Sequence, residues 1–494
     1  EYEVIINHAD VKCLVMDGMN VIRSVNNIKP RIGNVEKFYT LQKCDGYESF
    51  EDLVKLGEDN PAPEVLKQRR EQVDTSDVAT IIYTSGTTGE PKGVMLTHSN
   101  IVNQLLNLEH IPAKWSNIAY SFLPLCHAYE RMLVFLYQLL GMSVYYALNF
   151  GTIADDLKEI NPTMMSAVPR LLEKVYDKII ASGNKLTGIK KKIFFWAVEL
   201  AKQYKIEDSE RSACYNLKLK LADKLVYSQI RQNVGGNFDI IVSGAASIQK
   251  HLVSFFSAIK MDVFEGYGLT ETSPVIAVSC REKYGREAGT VGFPLGGVEV
   301  KVDPETQELC CRGHNVMQGY YKNPALTAEV IDKDGWFHTG DMARITDKGQ
   351  VVICGRIKSL FKTSNGKFIN PESLESKICE SKLIDTAVVV GEGQKFAAAL
   401  IVPDFNNLKL WCNKNNVKYT NPQEIIKNQE VRQLYWKEVE SYNTFFGGTE
   451  KIKKIELIAD EWTPQNGILT PTLKVKRNEI NKRYKEIIDE MFNS

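Results

Sequence analysis

Short apolar runs recur along the first half of the chain, at residues 11–16, 78–83, 117–123, 143–148, 163–168, 238–243 and 262–264, and each predicts a β-strand. Between them, at 99–109, 152–160 and 248–259, apolar residues fall three and four apart and predict amphipathic helices. Such alternation predicts a mainly parallel sheet covered by helices. From 274 to 356 the rhythm shortens to strands at 298–302, 307–312 and 350–354, the last after an Asp347-Lys348-Gly349 turn, which predicts a smaller β-rich subdomain. From 358 onward strands at 387–390 and 397–402 alternate with helices that end in a basic tail. No internal repeat or low-complexity tract stands out.

Two stretches need a decision. Residues 132–150 look membrane-like, but contain Gln138, Gly141, Ser143 and Asn149 and follow Glu130 and Arg131. A buried helix ending at Gly141, then a strand at 143–148, is favoured over a transmembrane span. Residues 170–231 carry 14 Lys/Arg against 7 Asp/Glu, with Lys190-Lys191-Lys192 beside Ile193-Phe194-Phe195-Trp196. A solvated helical hairpin is the favoured reading. The alternative is peripheral membrane contact through residues 170–232, since a basic helix with aromatics suits anionic lipid.

Composition narrows the class. At about 150 residues per domain, 494 residues make roughly three folding units, or one large and one small. With 44% hydrophobic and 25% charged residues, disorder, collagen and a coiled-coil rod are excluded. Lys+Arg and Asp+Glu both number 61, which disfavours a whole-chain polyanion binder, and no nucleic-acid partner is expected. The ten cysteines form no CxxC pair and no Cys/His cluster at zinc spacing, and read as reduced thiols of a cytoplasmic protein. The chain begins at Glu1, not Met, with no signal peptide, as expected of a fragment or a processed product.

Four motifs carry chemistry. Tyr83-Thr84-Ser85-Gly86-Thr87-Thr88-Gly89-Glu90-Pro91-Lys92-Gly93 follows an apolar strand. Its glycines let backbone N–H groups approach an anion, its hydroxyls add donors and Lys92 adds charge, as a polyphosphate loop requires. The GxxxxGK[ST] spacing fails, and Pro91 would interrupt the helix that a Walker A loop feeds. In Gly266-Tyr267-Gly268-Leu269-Thr270-Glu271-Thr272 the Tyr267 ring suits stacking on a purine, and Glu271 suits Mg²⁺ on phosphates. In Gly335-Trp336-Phe337-His338-Thr339-Gly340-Asp341 the carboxylate of Asp341 suits a ribose diol, and Arg356 after Gly355 suits the same sugar or its phosphate. The fourth motif, Leu469-Thr470-Pro471-Thr472-Leu473-Lys474-Val475-Lys476-Arg477, is by itself an ordinary basic tail.

Together, in order and spacing from residue 1 to about 485, these motifs resemble the adenylate-forming enzymes: acyl-CoA synthetases, luciferases and peptide-synthetase adenylation domains. Long-chain fatty acyl-CoA synthetases are the nearer resemblance. It rests on Leu123-Pro124-Leu125-Cys126-His127-Ala128-Tyr129-Glu130-Arg131, on Val168-Pro169-Arg170, and on 362–371, Lys362 to Pro371, which resembles the pantetheine-channel loop. The resemblance implies an α/β fold: a large N-terminal domain of parallel-type sheets covered by helices, residues 1–357, with a β-rich subdomain at 274–357. A small mobile α+β C-terminal domain, residues 358–494, then carries the catalytic lysine. Members extend further on the N-terminal side of the segment matching Val4-Ile5-Ile6-Asn7-His8, so the large domain is expected to be incomplete. Leu473 and Ser243-Gly244-Ala245-Ala246 depart slightly from the usual forms.

The resemblance implies ATP, Mg²⁺ and CoA, a fatty acid as substrate, and two half-reactions. Lys474 would contact the carboxylate and the α-phosphate. Thr84, Ser85, Gly86, Thr87, Thr88, Gly89 and Lys92 would cradle the pyrophosphate, and Thr84 and Glu271 would serve the metal. Ser243, Gly244, Ala245, Gly266, Tyr267, Gly268 and Thr270 would form the adenine pocket, with Asp341 and Arg356 at the ribose. His127 matches a position near the acyl group, with a core histidine as the equal alternative. Lys358 would be the hinge, and Asn365, Gly366 and Lys367 would line the CoA channel. Two alternatives stay open: a fatty acyl-AMP ligase feeding a carrier protein, and an inactive truncated nucleotide-binding homologue.

Overall fold

A computed structural model of the chain describes residues 2–85, 91–149, 151–448, 450–463, 466–470 and 475–493. A seven-stranded sheet organises the large N-terminal domain, in the order Phe293–Pro294, Val275–Val278, Val263–Gly268, Ile240–Ser243, Met164–Ala167, Ile118–Ser121 and Ser143–Tyr146. The last five strands of that order pair in parallel, and the first two add antiparallel.

Alternation along the strands divides the interior in two, because successive side chains leave opposite faces. Ala119, Ile240 and Phe264 enter the core built with helices His98–Leu108 and Ala128–Leu139. Tyr120, Ile241 and Val263 enter the core built with Pro169–Asn184, Gly188–Lys202 and Lys250–Ala258. The membrane-like stretch resolves into Ala128–Leu139, a left-handed Gly141 and strand Ser143–Tyr146. Among the described residues, no helix is long and apolar enough to cross a membrane.

Two expected members of the parallel sheet lie elsewhere. Cys13–Met16 joins Lys37–Thr40 and Glu48–Ser49 in a small parallel sheet with its own core of Ile6, Met16, Ile22 and Val25. Val78–Ser85 pairs antiparallel with Pro91–Thr97, an unforeseen strand, which Gly319–Tyr320 extends on its far side. Connection length explains the correction. Ser85 and Pro91 are register partners, and five residues cannot make the crossover of a dozen or more that parallel pairing needs. Helix His98–Leu108 starts one residue earlier than expected, because Thr97 and Asn100 cap each other.

The β-rich part is a four-stranded sheet, Val298–Val302, Glu308–Gly313, Phe337–Ile345 and Val351–Arg356. The smaller C-terminal domain holds Ile384–Val390, Ala397–Pro403 and Ile452–Leu457. Its middle strand is buried along its whole length, with Ala397, Ala399 and Ile401 on one core and Ala398, Leu400 and Val402 on the other. Both faces covered is what its unbroken apolar run requires.

Candidate active site

A cavity of about 380 Å³ opens at the carboxyl ends of the parallel strands, where open α/β sheets receive ligands. Thr84, Gly244, Ala245, Gly266, Tyr267, Gly268, Thr270, Glu271 and Arg356 line its polar mouth. Leu108, Ile111, Leu123, Leu133, Leu136, Met164 and Val278 line its apolar depth. His127 also lines it, at the residue that caps helix Ala128–Leu139. Burial holds the His127 pKa below the usual imidazole value, so the ring is neutral at pH 7.

The mouth is built by strands that bring distant residues into register. The Tyr267 hydroxyl donates to Asp341 Oδ2 at 2.6 Å, and Arg356 Nε meets Asp341 Oδ1 at 2.9 Å. Asp341 and Arg356 face one another across paired strands. Burial, then the Asp341 carboxylate, pushes the Tyr267 pKa well above the usual tyrosine value, so the phenol keeps its proton. A β-carbon on Gly268 would meet the Pro274 carbonyl oxygen at 1.7 Å, so only glycine fits there. Ala245 holds φ at 68°, a conformation that costs a non-glycine residue about 1–2 kcal/mol; the double-glycine form usual in the resemblance would relieve it.

A second set holds Glu271. Its Oε1 accepts from the Tyr320 hydroxyl at 2.8 Å, and Lys92 Nζ lies 5.4 Å from the centre of the Tyr320 ring. Tyr320 was not anticipated. It stands 49 residues from Glu271 with no local signal, and reaches it because Gly319–Tyr320 pairs with the hairpin strand Pro91–Thr97.

Below the mouth, Glu130 is fully buried, accepts from Ser121 Oγ, and is raised in pKa by its burial. Tyr129 ties its helix to the sheet through the Val242 carbonyl at 2.8 Å, and a β-carbon on Gly244 would lie 3.2 Å from its ring.

Other expected residues fall outside the cavity lining. Ser243 is buried at the end of its strand, and its side chain does not line the cavity; nor do Lys92 and Asp341, the latter buried behind Tyr267 and Arg356. Lys358 lies in the 3₁₀ turn Ile357–Ser359. Asn365, Gly366 and Lys367 connect Phe361–Lys362 to Phe368–Ile369 and do not line the cavity. Gly86, Thr87, Thr88, Gly89 and Lys474 lie outside the described residues, as does the side chain of Ser85. The segment containing Lys474 is bounded by the Leu469–Val475 bridge and by Arg477, which pairs with Glu375 at 2.5 Å. Burial pushes the Glu375 carboxyl up to about 7 against the pull of Arg477.

The AMP-binding enzyme family matches residues 1–321, and its C-terminal domain matches residues 359–494. The chain belongs to the AMP-binding enzyme family. Fatty acyl-CoA synthetase A of Dictyostelium discoideum is 32% identical over 526 residues, covering 99% of this chain and 76% of that protein. The peroxisomal long chain acyl-CoA synthetase 6 of Arabidopsis thaliana is 32% identical over 518 residues, covering 99% of this chain and 72% of that protein. In fold, this AMP-binding enzyme superposes on the adenylation domain of a Mycobacterium chelonae carboxylate reductase with a TM-score of 0.71 at 19% identity, over 100% of this chain and 75% of that one. ATP-bound MatB from Rhodopseudomonas palustris gives 0.67 at 20% identity, over 99% and 82%.

Proposed function

We propose that this enzyme is a long-chain fatty acid–CoA ligase that forms AMP. The observation that carries the reading is a cavity whose polar mouth runs into an apolar depth, and whose lining residues Tyr267 and Arg356 both hold the buried Asp341 behind them. A nucleotide at the mouth and an alkyl chain in the depth put a carboxylate beside an α-phosphate. Relatives named as fatty acyl-CoA synthetases support the substrate class.

In the first step a fatty-acid carboxylate oxygen attacks the α-phosphorus of ATP; the new P–O bond gives acyl-AMP and pyrophosphate leaves. In the second the CoA thiolate attacks the acyl carbonyl and AMP leaves. We assign Asp341 and Arg356 to the ribose, and Tyr267 to the adenine wall and to holding Asp341. Thr84 to Lys92 take the departing phosphates, and Lys474 the charge on the carboxylate and α-phosphate. Such steps depend mainly on positioning and electrostatics. Glu271 and Thr84 suit Mg²⁺, an oxygen-seeking ion, because Glu271 spends one oxygen on Tyr320 and its other has no partner among the described residues. Mg²⁺ would supply charge neutralisation between phosphate oxygens.

We assign residues 1–357 and 358–494 to two bodies hinged at Lys358. Asn365, Gly366 and Lys367 lie off the cavity in this arrangement, and rotation at the hinge is what would bring them to the CoA thiol. Peripheral contact with an anionic bilayer fits residues 170–232. Leu217, 69% exposed, lines up with Leu221 and Leu225 along successive turns, Lys218 and Lys224 flank them, and Ile189 is 75% exposed beside Lys190. The free thiols suit the cytoplasm.

The test is ATP–pyrophosphate exchange across acids from acetate to palmitate, followed by addition of CoA. Exchange with long acids and acyl-CoA on addition supports the ligase. Exchange without acyl-CoA would move the reading to an acyl-AMP ligase, and ADP as the product would overturn it.

A further inference from the structure

Outside the cavity, on the β-rich sheet, three different donor atoms converge. Cys310 and His338 are register partners on the adjacent strands Glu308–Gly313 and Phe337–Ile345. The Cys310 Sγ lies 3.6 Å from His338 Nδ1, and Glu308 Oε2 lies 2.9 Å from the same nitrogen. All three donors sit within 4.8 Å of one another. A ring nitrogen carries one proton or one lone pair, so it cannot satisfy a thiol and a carboxylate equally.

We propose that Glu308, Cys310 and His338 form a site for one zinc-type divalent ion. Three observations support it. First, the donor set of thiolate, imidazole and carboxylate is one that Zn²⁺ uses, with a fourth position left to solvent. Second, Zn–S of about 2.3 Å and Zn–N of about 2.0 Å in tetrahedral geometry require S···N near ~3.5 Å, and the strands already hold 3.6 Å. Third, His338 Nε2 lies 3.8 Å from Asp332 Oδ2, on the side where metal-ligating histidines find a carboxylate. Access is graded: Cys310 is 1% exposed, whereas the His338 side chain is 38% exposed and opens the site to solvent.

The site touches the catalytic machinery at one remove. While Glu308 Oε2 faces the ion, its Oε1 accepts from the Gly340 N–H at 2.8 Å. Gly340 precedes Asp341 in strand Phe337–Ile345, so an ion bound here braces the strand segment that carries the carboxylate assigned to the ribose. Zinc spacing in sequence could not show this, since Cys310 and His338 are 28 residues apart.

The test uses the full chain, stripped with a chelator and titrated with Co²⁺ in excess Mg²⁺, which prefers six oxygens and does not compete for a thiolate. We expect one equivalent of Co²⁺ to give a thiolate-to-cobalt absorption band that Zn²⁺ abolishes. Cys310→Ser removes the band. His338→Gln and Glu308→Gln weaken cobalt binding by about tenfold or more. If buried Cys310→Ser fails to fold, the half-exposed His338→Gln decides alone. No band in the wild-type chain, or unchanged affinity in His338→Gln, overturns the site. A band that survives in folded Cys310→Ser comes from another of the ten cysteines and overturns it equally.

Discussion

The cavity and the seam between the two domains are similar in size and opposite in chemistry. The cavity, about 380 Å³, sets a few polar groups in an apolar wall, and strand pairing holds them against one another. The seam, about 300 Å³, crowds Arg170, Glu173, Asp177, His251, Lys382, Asp385 and Asp404 together. One guanidinium bridges it: Arg170 pairs with the Asp385 carboxylate, donates to the Asp385 carbonyl at 2.7 Å, and lies 3.5 Å from Glu173. Gln249 adds a hydrogen bond to the Cys379 carbonyl at 3.0 Å. Burial, then repulsion from Asp404, pushes Asp177 up to about 6, and burial pushes His251 down to about 4. The cavity mouth is made rigid by backbone pairing. The seam rests on charges whose desolvation nearly offsets their attraction, which suits a contact that can be released.

The largest effect expected is on neither wall but at Lys474, the lysine proposed to act in adenylation. Lys474→Ala should slow adenylation by about 10²–10³-fold and leave thioesterification from supplied acyl-AMP far less affected; equal loss in both steps would remove the role assigned to it. At the seam, Arg170→Ala strands Glu173 and Asp385 without their cation. A loss of about 1–2 kcal/mol shifts docking roughly five- to thirty-fold, and adenylation should fall more than thioesterification, because Asn365, Gly366 and Lys367, proposed for the CoA channel, lie off the cavity in this arrangement. Rapid-quench measurement of each half-reaction checks this; equal changes would mean that the seam does not gate the cycle. Within the cavity, Tyr267→Phe frees Asp341 of one hydrogen bond, worth about 1 kcal/mol or roughly fivefold in KM for ATP, with kcat largely kept. An unchanged KM would take Tyr267 out of ribose positioning.

The smallest effects are titrations. Burial raises Glu265, in strand Val263–Gly268, to about 8 and Asp177, in the seam, to about 6. A raised folded pKa stabilises below the unfolded value and loses that contribution as pH rises through the folded one. Glu265 should therefore cost stability progressively between its ordinary value of 4.5 and about 8, and Asp177 between 3.8 and about 6. Melting temperature against pH should flatten over those separate windows in Glu265→Gln and Asp177→Asn. A slope unchanged in both would dissociate it from these carboxylates.

Much of the large domain was legible because its strands carry unbroken apolar runs flanked by turn residues. Residues 163–168 and 238–243 became Met164–Ala167 and Ile240–Ser243 within two residues. Residues 78–83 were legible as a strand but misplaced in the sheet, since periodicity reports exposure and not partners. Pro91–Thr97 was missed because Pro91, Lys92 and Gly93 disguise its start; its buried apolar side chains begin only at Val94.

By itself the sequence singled out the residue types proposed for the chemistry: a hydroxyl- and glycine-rich loop, a tyrosine between glycines, an aspartate after Thr339-Gly340, a lysine near the end. Each is a local matter of donors, charge and backbone freedom. Tertiary structure alone decided which of them meet. Asp341 finds Arg356 and Tyr267 through strand register, Glu271 finds Tyr320 through a hairpin edge, and Cys310 finds His338 across two strands. Register is set by the whole apolar pattern of a sheet, so no short segment carries it.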